Sequence, residues 1–166
     1  MQRSFTKRIC VTAAVASTAA LAVFPGPAAA DDVTFPAGDA CSFALRVHIV
    51  NSDHRVTRVF TDANGNTVRM LSAGRGSQLT FTNADTGRTL SLPANGAVAR
   101  SVKTAGGLLT ETDTGHNILI LFPTDVPAGP STTLYVGRIV FTVDAAGVFR
   151  LGPTSGRSTD ICAALA

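Results

Sequence analysis

Apolar and polar residues alternate one by one from Ser42 to Val50, with Phe43, Leu45, Val47 and Ile49 on one side and Ser42, Ala44, Arg46 and His48 on the other. A period of two is that of a strand with one buried face. The same period returns from Gln78 to Asn83, where Leu79 and Phe81 alternate with Gln78, Thr80 and Thr82. It returns again from Leu134 to Val143, the longest run, with Gly137, Ile139, Phe141 and Val143 opposite Val136, Arg138, Val140 and Thr142. Asn117 to Phe122 breaks the pattern. Its five successive apolar residues from Ile118 predict a strand buried on both faces at the middle of a sheet.

Turn chemistry separates these runs. Asn64-Gly65, between Val56–Thr61 and Thr67–Leu71, predicts a tight antiparallel hairpin, because both central residues tolerate positive φ. Gly74-Arg75-Gly76 closes that hairpin. Asn83 to Gly87 turns the chain back into Thr89–Leu92, Asn95-Gly96 precedes Ala97–Lys103, and Gly106-Gly107 precedes Leu108–Asp113. Pro123, Pro127 and Pro130 make an extended connection, Asp144 to Gly147 fits a short hairpin loop into Val148–Leu151, and Gly152 to Ser158 reads as loop. No stretch keeps a helical period over three turns. Turn signals at intervals of about ten residues predict an all-β domain, a β-sandwich or partly closed barrel of about 8–10 short strands.

The first thirty residues carry a different pattern. Arg3, Lys7 and Arg8 lead into an uncharged stretch from Ile9 to Phe24, followed by Pro25-Gly26-Pro27 and the small residues Ala28-Ala29-Ala30. This is the layout of a cleaved export signal, and the stretch is short for a bilayer span. The expected division is therefore a signal peptide over 1–30, a short polar lead without structure of its own over 31–40, and one domain over 41–166. Cys41 and Cys162 are then the only cysteines left, and in an oxidising compartment an even pair predicts one disulfide.

Removing the signal also changes the charge. All its charged residues are basic, so the remainder holds eleven basic and eleven acidic residues and is formally neutral. That removes the simplest case for nucleic acid or an anionic membrane as partner. Arginine outnumbers lysine ten to one in the remainder, and Arg55, Arg58, Arg69 and Arg75 cluster around the first hairpin, where they would anchor an anionic ligand or keep an edge soluble. With no tryptophan and a single tyrosine, Tyr135, stacking platforms for sugars or bases are scarce.

Candidate chemistry is thin. Asp62, Asn64 and Asn66 have the alternate spacing of calcium ligands, but Thr67 and Ala73 stand where a helix-loop-helix site needs glycine and glutamate. Asp113 and His116 bracket a glycine in what reads as a turn, a weak metal or acid–base pair. Glu111 and Asp113 are two apart and would point the same way from an exposed strand face. There is no Gly-x-Ser-x-Gly elbow for a nucleophile.

A cysteine opening the first strand, Thr82-Asn83 with Thr86-Gly87-Arg88, Thr114-Gly115-His116-Asn117, Gly137-Arg138 and Asp160-Ile161-Cys162 together resemble a group of small secreted actinobacterial proteins of unknown function. The resemblance implies an exported β domain and assigns no catalytic residue. The expectation is a secreted, non-enzymatic binding or structural module without a cofactor. It would act at the cell surface or in the medium on a cell-wall component or another secreted protein. The alternative is a small extracellular enzyme or metal-dependent module using His116 and Asp113, with His48.

Overall fold

The computed structural model describes residues 30–51, 54–104 and 106–166. The expected signal, apart from Ala30, lies outside the described residues. Ten strands follow: β1 (Ala30–Phe35), β2 (Leu45–Val50), β3 (Arg55–Thr61), β4 (Thr67–Arg75), β5 (Gln78–Asn83), β6 (Thr89–Leu92), β7 (Gly96–Lys103), β8 (Leu109–Leu121), β9 (Ser131–Val143) and β10 (Phe149–Asp160), then a short helix α1 (Ile161–Leu165). They form two antiparallel sheets, β1-β2-β5-β6 and β10-β9-β8-β7-β4-β3. The architecture is a two-sheet β-sandwich.

Four local expectations are corrected. Residues 31–40 are not a structureless lead, because β1 pairs with β2 from Ala30↔Val50 to Phe35↔Leu45. Cys41 consequently sits in the connection between β1 and β2 instead of opening the first strand. Leu108–Asp113 and Asn117–Phe122 are one continuous strand, β8, paired with β9 in unbroken register. Gly152 to Ser158 is strand as well, since β10 pairs with β9 through a bulge between Leu151 and Thr154 and continues to Asp160. Asp160 then caps α1 by accepting a hydrogen bond from the Ala163 N–H at 3.0 Å.

The main core lies between the sheets. Leu45, Val47 and Phe81 of the first sheet meet Ile118, Ile120 and Leu134 of the second, and Ile161 and Leu165 of α1 close one end. The disulfide Cys41–Cys162 forms as expected, closing a span of 121 residues with the Cα atoms 5.5 Å apart. Buried Asn83 donates to the Leu165 carbonyl at 3.0 Å and accepts from the Asp85 N–H at 2.9 Å. Arg88 donates to the Ala166 carbonyl. The motif residues Asn83, Arg88, Asp160 and Cys162 thus all fasten the end of the chain.

A second core sits on the other face of the larger sheet, where Leu119, Leu121 and Ile139 pack with Tyr135, Phe141, Phe149 and Leu151. It exists because the sheet is folded. Val126 bridges to Arg150, and Arg150 lies beside Thr142, at the opposite end of β9 from Ser131, the partner of Leu121. A straight β9 would separate those ends by about 36 Å, whereas the chain from Leu121 to Val126 reaches about 18 Å at most. The strands therefore bend back on themselves.

The bend follows a line of glycines across the sheet. Gly74 of β4 lies opposite Ala97 of β7, which lies opposite Gly115 of β8, then Gly137 of β9 and Gly156 of β10. All four glycines have φ between 97° and 146°, and a Cβ on any of them would collide with a backbone carbonyl of the neighbouring strand. Only glycine supplies that conformation and that close approach. Buried Asp125 holds the bend closed, accepting from the Phe122 N–H at 2.7 Å and the Phe149 N–H at 2.9 Å.

Candidate functional site

The bend turns the outer half of the larger sheet away from the smaller sheet, so among the described residues its convex face has no covering layer. Cross-strand register then decides which side chains share that face. Arg58 of β3, Leu71 of β4, Arg100 of β7 and Thr112 of β8 form one row. Phe60, Arg69, Val102 and Thr110 form a second row, which Thr142 and Arg150 extend. A third runs through Val56, Ala73, Val98, Thr114 and Arg138. Five arginines thus stand on one face, and the register places no Asp or Glu among them. Arg58, Arg100, Arg138 and Arg150 are exposed, and Arg69 stacks its guanidinium 4.6 Å from the centre of the Phe60 ring. Among the described residues none of the five is ion-paired to an Asp or Glu side chain.

Three carboxylates are occupied elsewhere. Asp62 accepts from the N–H groups of Asn64 and Asn66 at 2.8 and 2.9 Å and from the Asn66 side-chain amide at 3.2 Å. The Asn66 bonds foremost, with that from Asn64, hold its carboxyl below the usual carboxylate range. Asp62 and Asn64 thus complete the hairpin turn. Asp144 does the same for the β9–β10 turn, accepting from the Ala146 and Val148 N–H groups. Asp32 pairs with His48 at 2.7 Å on the outer face of the smaller sheet.

Of the four arginines that cluster in sequence, Arg58 and Arg69 join the convex face. Arg55 points to the opposite, concave face, where its Nε donates to Ser72 Oγ at 2.7 Å. Arg75 lies at the end of β4, beyond the glycine line. Arg100, Arg138 and Arg150 are the members that sequence proximity misses; only strand pairing brings them in.

The concave face carries a carboxyl pair. Glu111 and Asp113 do point the same way along β8, but they are half-buried, not exposed. Ser101 donates to Glu111 at 2.5 Å. Asp113 is pushed up to about 6, first by burial, then by the charge of Glu111 and its hydrogen bond to that carboxyl; the Arg55 charge partly opposes this. Asp113 Oδ1 and Asn117 Nδ2 are buried there without a protein partner.

Asp113 and His116 do not meet. Being three apart in an unbroken strand, and not around a turn, they project from opposite faces. His116 stands at the rim of a cavity of about 370 Å³ between the sheets, over Ile49, Leu79, Leu92, Ile118 and Leu134. His48, paired with Asp32, faces away from it. Among the described residues no three His, Cys, Asp or Glu side chains gather as metal ligands, and no helix is long and apolar enough to cross a membrane.

No family model, no curated protein and no solved structure matches this chain.

Proposed function

We propose that this chain is an exported, non-enzymatic binding module whose convex arginine face takes an anionic partner at the cell surface or in the surrounding medium. The observation that carries the reading is the segregation of charge: a chain neutral after residue 30 presents five arginines together, while Asp62 and Asp144 cap turns, Asp125 clamps the bend and Glu111 and Asp113 lie on the opposite face. Alternate residues on a strand are about 7 Å apart and strands about 5 Å apart, so the five arginines form a grid whose neighbours are about 8 to 15 Å apart. Such a grid favours several simultaneous bidentate contacts to carboxylate or phosphate. The resemblance to small secreted actinobacterial proteins and the disulfide support export, and they are consistent with a partner that is a cell-wall component or another secreted protein.

The test is binding of the disulfide-closed protein to polyglutamate and to polyphosphate at low and high salt. Binding that weakens steeply with salt and is lost in the R100E/R138E variant is expected. Equal binding by that variant, or no binding to either polymer, would end the reading.

A further inference from the structure

Resting on the anionic-partner reading, we propose that β3 is the docking edge and that an extended acidic segment of a partner polypeptide adds to it as the seventh strand of the larger sheet. β3 ends the strand order and, among the described residues, pairs only with β4. All seven of its residues are exposed, and Val56, Val59 and Phe60 keep 66, 55 and 40% of their surface open to solvent. Edge strands are usually blunted by proline, by shortness, by a bulge or by charged side chains, and of these β3 up to Phe60 has only the charges, all of one sign. The other edge of this sheet, β10, contains Pro153 and a bulge, and β6 has only four residues. β3 has no proline or glycine and stays in register with β4 until Phe60. Its outward N–H and C=O groups form an open template for strand addition.

Charge selects the occupant. β3 carries Arg55 on the concave face and Arg58 on the convex face, and no carboxylate. Asp62, just past its end, is consumed by the turn. A second copy of β3, added antiparallel about its middle, would set Arg58 against Arg58, and like charges directly opposite repel. An acidic strand meets the opposite situation. It would carry carboxylates three residues apart, one toward each face, with apolar side chains beside Val56, Val59 and Phe60. The arginine face behind β3 supplies the attraction that gathers such a segment, and backbone pairing fixes its register.

The experiment is amide hydrogen exchange and NMR titration of the disulfide-closed protein with a nine-residue Val/Thr peptide bearing two glutamates three apart. Three comparisons accompany it: the same peptide N-methylated at alternate residues, its Glu→Lys version, and polyglutamate. The expected result is protection of β3 amides by the glutamate peptide, and affinity at least about tenfold weaker for the N-methylated peptide, the lysine peptide and the R58E variant. Binding without β3 protection, or equal binding of the N-methylated peptide, overturns strand addition while leaving the arginine face as an anion site. Equal binding of the lysine peptide, or dimerisation through β3 in sedimentation, overturns the charge selection. Failure of every acidic probe, polyglutamate included, removes both this proposal and the reading beneath it.

Discussion

Replacing Asp113 by asparagine should stabilise the protein increasingly as pH rises from about 4 to about 6, with the full effect above that. In the folded state burial and Glu111 hold the Asp113 carboxyl at about 6, against 3.8 when it is free. Between those values folding takes up a proton, so stability is greatest below pH 4 for this group and falls as pH rises through 6. Each tenfold change in proton affinity is worth about 1.4 kcal/mol, and the rise amounts to roughly two such steps, or about 3 kcal/mol for a group shielded from water. Asp113 is half-buried, so solvent screening reduces this to about 1–1.5 kcal/mol. Asparagine keeps the shape, still donates to Glu111 and carries no charge. Urea unfolding at pH 4.5 and pH 8 should show D113N only a few tenths of a kcal/mol more stable than the parent at the lower pH and about 1 kcal/mol more stable at the higher, with m unchanged. The hairpin carboxylate Asp62 does not blur the comparison. Its folded pKa is depressed, so its contribution is present above pH 4 and is lost only on stronger acidification. A D113N variant that is less stable at pH 8, or that shows the same difference at both pH values, would refute the reasoning.

Gly115→Ala should cost about 3 kcal/mol or more, from strain at φ 100° and collision with the Gly96 carbonyl. Gly96→Ala, with open space at its Cβ, should stay within about 0.5 kcal/mol; urea midpoints compare the two. Asp125→Ala should lose about 2–4 kcal/mol and raise hydrogen exchange at the Phe122 and Phe149 amides, because it strips both N–H groups of their acceptor. Replacing Cys41 and Cys162 together by serine should lower stability by about 3–5 kcal/mol. The unreduced parent, denatured, should show no free thiol from that pair.

Much of the sandwich was legible because turn residues and alternation act locally. Asn64-Gly65 placed the β3–β4 hairpin, the alternation of Leu45, Val47 and Ile49 placed the inner face of β2, and the run from Ile118 marked an interior strand buried on both faces, which is the C-terminal end of β8. The bend was not legible, since glycine in a turn and glycine at a close approach of two strands look alike in a sequence. Gly115 therefore read as a turn between two strands, and Gly156, beside Pro153 and Ser155, read as loop. β1 was hidden for another reason: Asp31 and Asp32 lie on an edge strand with little surface to bury. At the candidate site, Arg55, Arg58, Arg69 and Arg75 were visible as a local cluster, but which of them share a face depends on register. The contributions of Arg100, Arg138 and Arg150 depend on a strand order that turn lengths do not encode. The shared direction of Glu111 and Asp113 followed from spacing; their burial followed from the bend.

The glycine line also has a use in searching. A bend of this kind needs glycine at one level in four separate strands, so the requirement leaves a numerical trace: Gly74, Gly115, Gly137 and Gly156 stand at intervals of 41, 22 and 19 residues. Hairpin loops can lengthen, shifting the intervals, and surface residues can drift without disturbing the bend, provided each glycine stays level with its neighbours. Distant relatives of this chain should therefore be sought by four glycines that strand pairing would bring level with one another, rather than by overall similarity. A chain that keeps them is expected to keep the folded sheet even where its arginines have gone.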